Sequence, residues 1–552
     1  FTLTDYLPFR VDAWDEEDTR VGGPHHGTFH STFTDGLGRT VKVVERNVRG
    51  SDGDDPADEY ETTYSYNLQD ELISCLDALG NVRYMRYDGL GRKIFANELD
   101  KGHCLYTYDA SGNLVDRVDA KGQRTIYAYD CANRPLSRNH LDSTGDPSTD
   151  PADVEWTYDV SAAEIDQGDG TRASTRNPRG ALVSVRDLSG AMHASYDDRG
   201  RLEWAVKVIP DPVTGIPVAY RTRYSRDSLD RVRELEYPDN DRLVFNYGQR
   251  SLLRAAQGGS GGARIIDEVD YWPSGKLRRM VYGNGVVTEY RYDPRLRLVE
   301  LSAQGAGTSA GRKLLHYAYA FDGVANITSI SDLRSDLGPG DARRNSQEFE
   351  YDNLYRLTLY RLTSPDPQAA ARESLEYRYD RIGNMLYQGP PAGAGQNGPG
   401  APDLGRYLYE GGRTGRVGRP PGDPTKPADS APGPHAVTST ESGRHYAYDD
   451  NGNAIDINGL KASWNFLDQL VRIEGPGFES RYVYDHTGRR VLKSTTRGGW
   501  TDWVLYVNEA FEVREGEEPT KYVFAGGTRV ARVKGTLDPL RPRIQRLRLV
   551  AG

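Results

Sequence analysis

Long apolar runs, methionine, cysteine and catalytic signatures are scarce or missing in this chain of 552 residues. No stretch approaches the roughly 18 consecutive apolar residues of a membrane-spanning helix, so direct membrane insertion by a helix is not expected. Only 3 Cys are present (Cys75, Cys104 and Cys131), too far apart for a CxxC pair and odd in number. That excludes a disulfide framework and leaves them expected as small buried hydrophobes. Basic residues (70) fall short of acidic ones (80), giving a net charge of −10, which argues against a broad basic face for nucleic acid. Neither GxSxG, HExxH nor a Walker-type loop occurs. The sequence therefore assigns no catalytic, cofactor-binding or metal residue, and a non-enzymatic chain is expected. It begins at Phe1 without a charged-then-apolar leader, so no signal peptide is visible; the missing initiator Met is expected of a partial or processed piece.

What the chain does have is tyrosine and glycine: 36 Tyr against 12 Phe, and 60 Gly. The tyrosines repeat. Tyr66, Tyr87, Tyr108 and Tyr129 stand 21 residues apart, and the same interval returns between Tyr271 and Tyr292. Looser spacings link Tyr158, Tyr351, Tyr379, Phe466 and Tyr484 to their neighbours. The units read YTYDASGNL from Tyr106, YAYDCANRPL from Tyr127, YRYDRIGNM from Tyr377, YAYDDNGNA from Tyr446 and YVYDHTGRRV from Tyr482.

Each position has a physical meaning. Two rings in Tyr-x-Tyr share one face of a strand. In Asp109-Ala110-Ser111-Gly112 an Asp leads and a Gly comes fourth, the preference of a type I turn closed through a left-handed residue. The carboxylate caps the turn's own amides, and Gly enters the left-handed region without steric cost. A strand follows from Leu114, then a second turn at Asp119-Ala120-Lys121-Gly122. Each unit thus holds two strands of about six residues and two short turns, an antiparallel meander. Gly102 falls one place later than Gly80 or Gly122 would imply, so a bulge or shortened turn is expected there. No segment shows a convincing 3.6-residue apolar period, and very little helix is expected.

The organisation follows. Residues 1–32 form an opening segment, 33–385 a run of units starting at FTDGLGR, and 386–443 a Gly/Pro-rich excursion expected as a loop. Units resume over 444–532, and 533–552 is a basic tail. Residues 48–58 and 141–153 read as acidic loops, and 255–263 (AAQGGSGGA) as a flexible one. The hydrophobic fraction, 37% even with Tyr, is low for a thick dry core. Such a long sheet must twist and hide its edges. Together these imply an all-β chain whose meander curls into a hollow spiral shell wet on both sides.

The Y-x-Y-D-x-x-G-[NR] unit resembles the YD (Rhs) repeat, over nearly the whole chain from Phe33 to Arg532. The stretches YGNGVVTEYRYDP from Tyr282, YAFDGVANITSISD from Tyr319, PHAVTST and WNFLDQLVRI from Trp464 are most similar to the cocoon-forming B and C components of bacterial insecticidal toxin complexes. The resemblance implies a β-cocoon, secreted and extracellular, that encloses a C-terminal toxic domain until delivery. It further implies a second shell component and a pore-forming translocation component as partners. An adhesion protein of the cell surface is the alternative that YD repeats also imply. Family members carry a DPxG-type autoprotease signature; here Asp538-Pro539 is followed by Leu540-Arg541, so no protease residue transfers.

Other motifs take structural readings. His25, His26 and His30 lie in a Gly/Pro-rich stretch without supporting ligands and are expected in an exposed loop rather than a metal site. Asp52-Gly53-Asp54-Asp55 lacks the closing Glu of a calcium loop and reads as a solvated loop. Gly283-Asn284-Gly285 has no helix after it and reads as a tight turn.

Overall fold

The computed structural model describes residues 1–47, 58–141, 152–259, 261–307, 310–338, 341, 343–363, 374–391, 405–409 and 433–538. The acidic run 52–55, most of both acidic loops and residues 539–552 lie outside them.

No α-helix occurs among the described residues. A 32-stranded antiparallel sheet runs from Leu3–Leu7 to Ser439–Thr440, and a 10-stranded sheet from Tyr446–Tyr448 to Thr528–Lys534. Successive strands pair with one another, as in Gly102–Tyr108 with Leu114–Val118 and then Arg124–Tyr129. One small hairpin, Ile165–Asp166 with Arg172–Ala173, stands aside, and Val154–Tyr158 pairs directly with Leu182–Asp187 across it. A bridge from Ser439 to His445 joins the two sheets.

The unit from Asp88 to Tyr108 shows why the motif has its composition. Asp88 Oδ1 accepts the N–H groups of Leu90 (2.9 Å) and Arg92 (3.0 Å). Gly91 closes the turn at φ +77°, and the register slips by one residue just before Tyr87, the bulge that this turn type demands. Arg92 Nε donates to Asp88 Oδ2 (2.7 Å), while its Nη1 reaches the carbonyl of Asp109 in the next unit (2.9 Å). The guanidinium lies over the Tyr108 ring at 5.1 Å, and the Tyr108 hydroxyl donates back to the Lys93 carbonyl (2.8 Å). This unit is thus stitched to the next at its turn edge. The same links recur at Arg356, whose Nη1 donates to the Asp380 carbonyl and which lies over Tyr379, and at Arg297 with Asp322 and Phe321. Asn replaces Arg at Asn113 and still donates to Asp109 Oδ2 (2.9 Å).

The irregularity at Gly102 is a shortened turn: Glu98 pairs with Gly102, leaving only 99–101 between them, whereas Leu76 pairs with Val82. Residues 1–32 supply the strands Leu3–Leu7 and Arg10–Trp14 and the start of His30–Thr34, all in the large sheet. Within 386–443 the described residues include Gly405–Leu408, which is a strand paired on both sides and not a loop. Its Tyr407 and Tyr409 belong to the same Tyr-x-Tyr grammar. Of the cysteines, Cys104 is buried, Cys75 half-buried and Cys131 exposed, because Cys131 follows the capping Asp130 at a turn tip.

One region departs from a wall wet on both faces. Ile209, Tyr220, Leu243 and Ile266 of the large sheet form a dry cluster with Leu505, Phe511, Val523 and Leu537 from the end of the chain. Two layers of sheet meet there, so the apolar residues that the wall lacks are concentrated at a join.

Candidate functional site

Each meander has a turn edge, carrying the Tyr-x-Tyr-Asp turns, and a far edge with the second turns. Strands and far-edge turns of the first part of the chain dock on Tyr-x-Tyr-Asp turns 278 to 340 residues later. The sheet therefore winds as an open spiral and clasps itself once per circuit. This seam, rather than a catalytic cleft, is the feature built from residues distant in sequence.

At its beginning, the loop after Arg10–Trp14 meets three consecutive turns. Glu16 pairs with Arg295 (3.2 Å), Glu17 accepts the Gly323 N–H (2.7 Å), and Asp15 accepts the Tyr355 hydroxyl. His25 is buried, its Nδ1 3.1 Å from Asn353 Nδ2 and its ring edge-on to Tyr355. That corrects the expectation of an exposed loop for His25; His26 and His30 are exposed. These turns also put Leu296 (φ +61°), Ala325 (φ +76°) and Tyr355 (φ +60°) in the left-handed region, where Gly or Asn is usual. Each such residue costs roughly 1–2 kcal/mol. These three turns also touch the earlier circuit, whose contacts help to hold the backbone.

Further along, Asn47 accepts the Asn353 N–H (3.1 Å), Asp100 bonds His435 (2.8 Å), and Asn451 donates to Asp119 (2.8 Å). Lys121 pairs with Asp449 (3.0 Å), Asp187 accepts the His486 N–H (2.8 Å), and Lys207 pairs with Asp485 (2.7 Å). Burial by itself would raise the Asp187 and Asp485 carboxyls. Hydrogen bonds outweigh it, from His486 and Ser189 to Asp187 and from Lys207 and Thr487 to Asp485, so both are held below the ordinary carboxylate range. The Asp100 carboxylate raises His435. A cavity of about 840 Å³ lies in this stretch, between Lys207, Tyr220 and Tyr224 on one side and His486, Arg490 and Tyr506 on the other.

The last clasp is the driest. Lys521 is fully buried, its Nζ 2.6 Å from Asp239 and 2.7 Å from Asp241. Tyr237 donates to the Tyr522 carbonyl (3.0 Å), and burial pushes its phenol well up. Among the described residues no group of three or more His, Cys, Asp or Glu side chains is placed to hold a metal ion.

None of these pairings was assigned from sequence. The Asp of each turn was read as a cap, which it is; that some of the same turns receive a second partner from another circuit leaves no local signature. The Arg or Asn four places after the Asp was visible in the repeat, and its reach to the next unit is the signal that sequence alone left unexplained.

An RHS repeat family model matches residues 108–146. Double-stranded DNA deaminase toxin A of Burkholderia cenocepacia (strain H111) is 26% identical over 325 residues, 57% of this chain and 19% of that protein. Among solved structures, TcdB2-TccC3 superposes with a TM-score of 0.76 at 18% identity, covering 98% of this chain and 28% of that one. The Tc holotoxin pore of Photorhabdus luminescens gives 0.75 at 18% identity, over 98% and 27%. This chain therefore spans less than a third of the length of the proteins it matches. With the repeat grammar, the meander and the spiral in agreement, the chain carries RHS repeats and has a hollow β-cocoon fold shared with TcdB2-TccC3.

Proposed function

We propose that this chain is a stretch of the wall of a secreted bacterial toxin, surrounding a C-terminal toxic domain until delivery. The observation that carries the reading is the seam. Far-edge turns meet Tyr-x-Tyr-Asp turns about one circuit later, so the sheet's exposed edges are spent on enclosing a space. Under this reading function resides in confinement: a wall of fixed radius keeps a polypeptide from folding to its active form or meeting its target. A second shell component and a pore-forming translocation component are the partners that such a wall needs. No residue of the chain is given a chemical step.

The test is protection. A reporter polypeptide fused behind Gly552 should resist protease in the wild-type chain and be digested once the seam is opened by Lys521→Met and Arg242→Ala together. Equal digestion in both, or an electron-microscopy map without an internal space, would overturn the reading.

A further inference from the structure

Gly258, Gly259 and Gly262, from the stretch 255–263 expected as a flexible loop, form a close-fitting notch around Leu537 and Asp538. A Cβ on Gly258 would lie 1.7 Å from the Leu537 carbonyl oxygen, and one on Gly262 2.0 Å from the same atom. On Gly259 it would lie 1.9 Å from Asp538 Oδ2. The strand end is fixed by its own hydrogen bonds, Gly258 N–H to Ala263 (2.8 Å) and Gly259 N–H to Arg242 (3.1 Å), so the glycines cannot simply move away. Such spacing is tolerated only by residues without a side chain.

The polar groups are equally specific. Asp241 accepts the N–H of Leu537 through Oδ2 and that of Asp538 through Oδ1, each at 2.6 Å. Lys521 balances the charge of Asp241. Arg242 donates through Nε (2.9 Å) and Nη2 (2.8 Å) to Asp538 Oδ2. The Leu537 side chain completes the dry cluster, and both residues have no exposed surface. Backbone donors, backbone carbonyl, aliphatic side chain and carboxylate of a two-residue segment are thus each read separately, and charge-assisted bonds supply the stronger share.

We propose that this notch is a recognition site for a Leu–Asp peptide step, filled in cis by Leu537–Asp538, and that its occupancy locks the end of the second sheet onto the first. The two residues join elements 296 and 297 positions away in sequence, so losing them frees the last clasp without touching a wall hydrogen bond.

The experiment uses the whole chain with Leu537→Pro and Asp538→Pro, which removes both backbone donors to Asp241, the aliphatic side chain and the carboxylate and so empties the notch, and a fluorescent peptide of residues 534–539 (Lys-Gly-Thr-Leu-Asp-Pro). The peptide should bind the emptied chain and not the wild type. Its Asp→Asn version should bind roughly tenfold to a hundredfold more weakly, the factor for losing one charge-assisted bond. Because the emptied chain opens if the lock is real, hydrogen exchange supplies a second reading. Gly259→Ala should accelerate exchange at Leu505 and Val523, and that acceleration should vanish in an Asp538→Gly background, where the added Cβ meets no carboxylate. Peptide binding to both chains or to neither, or an effect of Gly259→Ala that is the same in both backgrounds, would overturn the proposal.

Discussion

Replacing Lys521 by Met removes a cation that is wholly enclosed, with Asp239 at 2.6 Å and Asp241 at 2.7 Å. Met keeps much of the stem volume, so the cost is electrostatic. Two carboxylates with almost no exposure then lose the ammonium that both contact. Breaking a buried pair from one side costs about 3–5 kcal/mol, against about 0–1 kcal/mol for an exposed pair. At about 1.4 kcal/mol per decade, the local opening constant should rise by two to four orders of magnitude. A chain of many repeats does not unfold in one step, so a global melting temperature is the wrong readout. Native-state hydrogen exchange resolves the region: amides of Leu505, Val507 and Val523 should lose protection, while those of Leu114–Val118, far along the wall, should keep theirs. Adding Asp239→Asn to Lys521→Met should restore part of the loss by removing the carboxylate repulsion. A change below about 1 kcal/mol, or one spread evenly over the wall, would refute the claim that this clasp is dry and local.

The seam should also respond to pH from both sides. Asp187 and Asp485 are depressed, so their contribution is complete above about pH 4 and is lost as pH falls through their lowered values. His435 is raised by Asp100, so its contribution is complete below about pH 6.5 and is lost as pH rises through its raised value. Protection of the His435 and His486 amides, taken relative to the intrinsic exchange rate at each pH, should therefore be greatest between about pH 4 and 6.5; a flat protection profile would contradict the assignment. Within the wall, Tyr108→Phe should cost about 0.5–1.5 kcal/mol through its bond to the Lys93 carbonyl. A double-mutant cycle with Arg92→Ala should show coupling, since the guanidinium lies over that ring. Gly190→Ala should cost about 3 kcal/mol or more, because φ is +131° and the Cβ would lie 2.0 Å from the Val208 carbonyl oxygen. Gly112→Ala, also left-handed but facing open space, should cost only about 1–2 kcal/mol, read by native-state hydrogen exchange of the flanking strands.

The wall was legible because its determinants are local. Asp88, Gly91 and Arg92 set one turn, Tyr87 and Tyr108 mark the bulge and the stitch, and the same letters return about 21 residues later. The turn at Gly102 was legible for the same reason, as a misplaced letter. The seam was hidden because its partners are set by curvature summed over a whole circuit. No local pattern tells that Asp119 will meet Asn451, or that His25 will be buried against Asn353. Residues 255–263 misled most clearly. Glycines that suit a flexible loop also suit a notch, and only the arrival of Leu537 distinguishes the two. The dry cluster was underestimated because average composition dilutes a core gathered in one place.

The division between wall and seam has an energetic consequence. Wall contacts join neighbours in sequence, so each unit is held by its own ladder, turn cap and tyrosine stitch, and stability accrues per unit. Seam contacts are different in kind: side-chain ion pairs, single hydrogen bonds and one buried cluster, each between residues about 300 apart. Breaking all of them leaves every strand pairing intact. The circuits can therefore part without the wall unfolding, and the work needed is set by a few identifiable groups. The end bearing Lys521, Arg242 and Leu537 is dry and costly to open, whereas the stretch through Asp187 and Lys207 borders a cavity and is cheaper. Opening that starts in the middle of the seam and stalls at Lys521 is the order this arrangement dictates. Exchange rates rising from Leu505 toward His486 in the unmodified protein would register it, and a reversed gradient would show that the dry end is the weaker one.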